Sequence, residues 1–207
     1  IIYRRAYNAL VRCVESAPSP ALWKPYAVRE IISGSFFGMS EIVRKAAAEF
    51  AAVKSDRQIP TVSVTGEIYV RNDPFANDFI VRELESRYIR VQFALFTEWI
   101  EYADIINREI LRTATDTSDV VTSNFVRYIL RNIRRPMAAA LGWPPRHDVH
   151  AILDTASAYL RKELVGEEIL TIGTPLHAYE NGEIHGVVSV GPLECMPSKI
   201  AESQFYH

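Results

Sequence analysis

The chain is predicted to fold as an α/β protein, with a parallel Rossmann-like (flavodoxin-like) sheet flanked by helices and a helical insertion. Three observations lead there. Two short runs rich in β-branched residues, 61–66 and 186–190, are bounded by glycines and turn residues, as buried strands are. Strand and helix patterns alternate as β-α-β-α between residues 61 and 110. The interval from residue 66 to residue 88 is long enough for the crossover that parallel neighbours require.

Composition narrows the class of function. With 207 residues and 48% hydrophobic composition, the chain is long enough for one large domain or two small ones with a real core, and is read as one α/β domain over 1–207. Its net charge of -2, from 23 basic and 25 acidic side chains, gives no overall field that favours nucleic acid or an anionic membrane. The apolar runs are far shorter than the roughly 20 residues that span a bilayer. The opening Ile1-Ile2-Tyr3-Arg4-Arg5 lacks methionine, and Arg12 interrupts the apolar stretch behind it. That pattern does not suit a secretory signal, and the chain reads as a fragment of a longer protein. Cys13 and Cys195 are too few and too far apart for a disulfide framework, which fits a reducing compartment. A cytoplasmic location is expected.

Along residues 1–56 the pattern predicts N-terminal helices. One covers 3–14, prolines 18, 20 and 25 interrupt the chain, and Met39, Ile42, Val43, Ala46 and Phe50 then form an amphipathic stripe. Residues 57–112 make a first β-α-β-α part. Its strand over 61–66 is followed by Asn72-Asp73-Pro74, an N-cap with a first-turn proline, and by Phe75, Phe79, Ile80 and Leu84 at helical spacing. A second strand over 88–94 precedes a helix with Trp99, Tyr102, Ala103, Ile106 and Ile110 on its buried face. Residues 113–165 are expected as a helical insertion. Phe125, Ile129 and Ile133 carry one helix to the Gly142-Trp143-Pro144-Pro145 stop, and Val149, Leu153, Ala156, Leu160 and Leu164 carry the next, ended by Gly166-Glu167-Glu168. The closing α/β part, 166–207, has a short helix opened by Gly173-Thr174-Pro175, a turn at Asn181-Gly182, the strand over 186–190 and a helix over 198–205 cut short at Tyr206-His207.

The 186–190 strand runs into Gly191-Pro192-Leu193-Glu194-Cys195-Met196-Pro197. Open α/β sheets bind ligands beyond the carboxyl ends of their strands, so Cys195 is a candidate site residue with Pro192 and Met196 beside it. The plainer reading is a small buried thiol closing a core strand. Gly66, Glu67, Asn72, Asp73 and Asn77 follow the first strand and are candidates to line a pocket, although Asn72 or Asp73 would serve equally as a helix cap. No Gly-Lys-Ser/Thr phosphate loop and no Gly-x-Ser-x-Gly elbow is present. His147 and His150 form a close pair without a further ligand, a weak zinc signal. Arg127, Arg131, Arg134 and Arg135 could dock an acidic partner or a CoA phosphate, and otherwise form a solvated helix face.

Two long segments carry a family resemblance. Residues 66–77, Gly-Glu-Ile-Tyr-Val-Arg-Asn-Asp-Pro-Phe-Ala-Asn, and residues 186–197, which end in Gly-Pro-Leu-Glu-Cys-Met-Pro, resemble the signatures of CoA-substrate-specific enzyme activase-related proteins. These in turn resemble 2-hydroxyglutaryl-CoA (2-hydroxyacyl-CoA) dehydratase components. Leu193 stands where the closing Pro-Phe-x-Cys-Met-Pro motif of that family has phenylalanine. The resemblance extends over residues 61–207 and the helices before them.

The resemblance implies part of a cytoplasmic, oxygen-sensitive protein with an iron-sulfur (4Fe-4S) cluster, a lyase-like partner of an ATP-dependent activase that delivers low-potential electrons to it. A CoA thioester or other small molecule would be the substrate. Cys195 is the residue carried over as a cluster ligand, its loop restrained by Pro192 and Pro197. A cubane cluster takes several thiolates, and Cys13 sits in no matching pattern, so this fragment is expected to hold no cluster alone. Neither nucleic acid nor membrane is an implied partner, and oligomerisation is compatible. The alternative is a non-catalytic docking or scaffold domain for the activase.

Overall fold

The structure is a computed structural model that describes residues 1–16, 24–110, 117–143 and 148–205. Prolines 18 and 20, the Pro144-Pro145 turn with His147, and Tyr206-His207 lie outside them. In chain order the elements are α1 (Ile2–Glu15), α2 (Lys24–Ser33), α3 (Met39–Ala52), β1 (Thr61–Gly66), α4 (Ile68–Asn72), α5 (Ile80–Ser86), β2 (Arg90–Phe93) and α6 (Phe96–Ile105), which a π-helical turn, Ile106–Ile110, extends. Then follow α7 (Thr117–Leu141), α8 (Val149–Ala156), α9 (Glu168–Glu180), β3 (Gly186–Val190) and α10 (Met196–Phe205). They form two compact units, one of residues 1–56 with 116–146 and one of residues 57–115 with 147–207. The stretch 113–165 is divided between them.

The first unit is helical. Helix α3 packs against both α1 and α7, burying Val43, Ala46, Ala47 and Ala138. Phe36, 2% exposed, meets the ring of Tyr128 edge-on at 5.9 Å. Gly38, at a φ of +87°, starts α3 next to Cys13, whose thiol donates to the Phe37 carbonyl at 2.6 Å. Cys13 therefore has a packing role.

The second unit carries the sheet, and the α/β expectation holds. Its three strands are all parallel, in the order β2-β1-β3. Thr61 to Val64 of β1 register with Arg90 to Phe93, and Val62 to Gly66 register with Gly186 to Val190. β1 is the central strand, and Val64 and Thr65 have no exposure at all. Tyr102, Ile105 and Ile106 pack with residues of α8 and α9, including Ile152, Ala156 and Ile169, as the main core. A smaller cluster joins Leu160, Ile172 and Ala201. No described helix is long and apolar enough to cross a membrane.

Several local expectations are corrected. The helix read from Asp73-Pro74 opens only at Ile80, because Asp73 caps a turn by accepting from the N–H groups of Phe75 and Ala76, and Asp78 and Phe79 then adopt positive φ. Phe75, expected on an apolar face, is 85% exposed. The second strand is shorter than 88–94, with Tyr88 at a φ of 59° before it. On α6, Tyr102 is buried as expected and Ile106 follows it, but the first turn buries Glu98 rather than Trp99, which is 39% exposed. Glu98 tolerates burial because the Thr174 hydroxyl donates to its Oε2 at 2.9 Å.

The helix expected to reach Leu164 ends at Ala156, and Gly166-Glu167-Glu168 begins α9 instead of ending a helix. Gly173 and Pro175 therefore lie inside α9. Gly173 lets α9 approach α8 so closely that a Cβ there would stand 2.7 Å from the Ile152 carbonyl oxygen. Pro175 removes the N–H that would bond the Thr171 carbonyl, and the Thr65 hydroxyl donates to that carbonyl at 3.3 Å instead. Packing and side-chain hydrogen bonding thus override the two helix-breaking residues.

Candidate functional site

The strand order places β1 between a neighbour reached by one crossover and a neighbour reached by another on the opposite side. The chain therefore reverses direction across the sheet between β1 and β3, and the carboxyl ends of these two strands flank the crevice where such sheets take ligands. The two segments that carry the family resemblance meet there. Gly66 registers with Val190, and the Glu67 N–H donates to the Val190 carbonyl at 2.9 Å.

Glycine is required at the junction. Gly66 has a φ of +106°, and a Cβ on it would lie 2.0 Å from the Val190 oxygen. Just past β3, Gly191 leaves room for Ser198, whose Oγ would be 2.3 Å from a Cβ at that position. Its own such Cβ would also touch that of Glu67, at 4.0 Å. The turn that follows is tied locally, with the Cys195 N–H donating to the Pro192 carbonyl at 3.2 Å and the Cys195 carbonyl accepting from Lys199 at 2.9 Å. Cys195 is half-buried just ahead of α10, while Pro192, Leu193 and Met196 are exposed.

The remaining expected pocket residues divide. Glu67 is at the crevice, but its carboxylate caps α4 by accepting from Tyr69 and Val70 at 3.0 and 2.8 Å. Asn72 is exposed and donates to the Ile68 carbonyl one turn back, and Asp73 serves its own turn. Asn77 is buried behind the crevice loop and donates to the Arg71 carbonyl at 3.0 Å. Gly66, Glu67 and the Pro192–Met196 turn are thus brought to one place, and Asn72 and Asp73 are occupied with local backbone.

A buried polar cluster beside the crevice escaped the sequence reading. Arg71, 6% exposed, donates through Nη1 to the Gly66 carbonyl at 2.8 Å. Arg71, Glu98 and Glu167 line a small recess with Ile68, Leu95 and Trp99. Burial depresses the affinity of Arg71 for its proton, against the opposing pull of Glu167, Glu98 and Glu67. Burial, reinforced by Glu67, raises Glu167 above the usual carboxylate range, and Arg71 partly offsets this. Tyr102 accepts from the Gly166 N–H at 3.2 Å, and burial raises its phenol. One part of this cluster could be found in the sequence, since Glu98 stands four residues before Tyr102 on the face that Ile105 continues.

The described residues do not make up a complete iron-sulfur donor set. Cys195 is the only cysteine of its unit, and among the described residues no group of three His, Cys, Asp or Glu side chains stands close enough to share an ion. His150 lies 3.6 Å from Glu109, and its expected companion His147 is outside the described residues. On α7, Arg131 and Arg135 are exposed, while Arg127 and Arg134 are half-buried. The chain matches no family model, no curated protein and no solved structure.

Proposed function

We propose that the chain is part of an iron-sulfur protein resembling 2-hydroxyacyl-CoA dehydratase components, with Cys195 contributing one thiolate at the β1–β3 crevice. In this reading the protein receives low-potential electrons from an ATP-dependent activase for reductive or radical dehydration of a CoA thioester. The observation that supports it is the junction itself. Two segments far apart in sequence, each chosen for its likeness to one family, are joined by the hydrogen bond from Glu67 to Val190. The other thiolates would have to come from outside the described residues.

The contribution of the chain's own residues is positional. Gly66 and Gly191 bring the two loops together, and Pro192 and Pro197 limit the freedom of the turn that carries the thiol. The test is iron and acid-labile sulfide in the full natural polypeptide, purified without oxygen, for the parent and Cys195→Ala. A cluster present in the parent and lost in the variant is the expected result. An iron-free parent overturns it and leaves the docking-domain reading, which the exposed Leu193 and Met196, at 83% and 71%, support.

A further inference from the structure

Helix α1 leaves an apolar stripe and a basic flank in solvent. Ile2, Ala6, Leu10 and Cys13 are among its half-buried positions, on a helix that packs against α3. Tyr3, Tyr7, Val11 and Val14 follow one another at helical spacing and are 71, 54, 36 and 63% exposed. The rings of Tyr3 and Tyr7 stack at 6.0 Å and form one continuous apolar surface. One position further round the helix stand Arg4, Asn8, Arg12 and Glu15, all exposed, and the first three with Tyr3 and Arg5 border a shallow groove. Arg5 is engaged by Glu49. The first turn of α1 holds no acidic residue, and Glu15 is the one acid in the helix. A positive helix in a chain of net charge -2 is a local feature rather than an effect of composition.

We propose that α1 docks an acidic amphipathic helix of another polypeptide. The partner's apolar face would lie on the Tyr3–Tyr7–Val11–Val14 stripe and its carboxylates would meet Arg4 and Arg12. Tyrosine and arginine are the side chains that carry most binding energy at interfaces, because they offer large contact areas together with hydrogen bonds. Charge complementarity selects the occupant. Two copies of α1 packed antiparallel would set one arginine flank against the other, and like charges so placed oppose association. A bilayer is the weaker match, since the outward stripe is only four side chains long and interfacial binding scales with the apolar area inserted.

The test measures binding of the full natural polypeptide to a synthetic amphipathic helix with leucines on one face and glutamates beside them, and to its lysine counterpart. The glutamate helix is expected to bind and the lysine helix not. Affinity should fall at least about tenfold in the Arg4→Glu/Arg12→Glu variant and again when salt is raised. Tyr7→Ser should also weaken it. All these positions are exposed, so an unchanged thermal midpoint confirms that folding is intact. The proposal is overturned if neither helix binds, if both bind alike, or if the reversed-charge variant binds as tightly as the parent. Self-association through α1, or sedimentation with phosphatidylserine vesicles without recognition of the glutamate helix, overturns it too.

Discussion

The hydroxyl of Thr65 donates to the carbonyl of Thr171, the group that Pro175 leaves without its helical partner. A central strand and a covering helix are thus joined where the helix has lost one of its own bonds. Thr65→Val should cost about 1–3 kcal/mol, the range for leaving a buried carbonyl unpaired. In a Pro175→Ala background the restored amide bonds Thr171, and the same change should cost less than about 0.5 kcal/mol. Urea denaturation of the four proteins in this cycle measures the difference. Equal costs in both backgrounds would deny the exchange of partners.

Gly66→Ala should destabilise by at least about 3 kcal/mol, combining backbone strain at positive φ with overpacking. The cause is the 2.0 Å approach to the Val190 oxygen, which is backbone on both sides and cannot swing away. A near-neutral denaturation midpoint would show that β1 and β3 do not meet as described.

Gly173→Ala tests the α8–α9 contact in the same way. A methyl group there meets the Ile152 carbonyl at 2.7 Å, Ile152 Cγ2 at 2.9 Å and Ala156 Cβ at 3.0 Å. The expected loss is about 1–3 kcal/mol despite the better helix propensity of alanine. A stabilised variant, read by thermal unfolding, would refute the close crossing.

Glu167 sets a pH dependence. Its carboxyl is raised above the usual carboxylate range in the folded protein, chiefly by burial and then by Glu67. The folded state therefore holds this proton more tightly than the unfolded chain does, so its contribution falls as pH rises from the unfolded value through the folded one. Glu167→Gln should be more stable than the parent at neutral pH, with the gap closing towards pH 4. A gap that widens on acidification would reverse the sign and exclude the assignment.

Much of the sheet could be read from the sequence because its strands announce themselves. The run Thr61 to Gly66 is β-branched and ends in glycine, and Gly186 to Val190 is β-branched and followed by the Gly191-Pro192 turn. Helix boundaries were harder. Gly173 and Pro175 look like a helix start in one dimension, and only the approach of Ile152 and the hydroxyl of Thr65 explain why they sit in mid-helix. The crevice was half visible. Gly66 closes a strand and Glu67 and Cys195 follow strands, positions legible in the sequence, whereas Arg71 reads as an ordinary surface charge until the Gly66 carbonyl is seen to take its hydrogen bond.

Each unit is assembled from two separated stretches, so the order of synthesis matters. β1 and β2 leave the ribosome well before β3, and until residues 186–190 follow, the far edge of the central strand has no partner. That edge is the row of backbone N–H and C=O groups of Thr61, Ser63 and Thr65, a template for pairing with a neighbouring nascent chain. A truncation ending before residue 186 should therefore depend on chaperones for solubility.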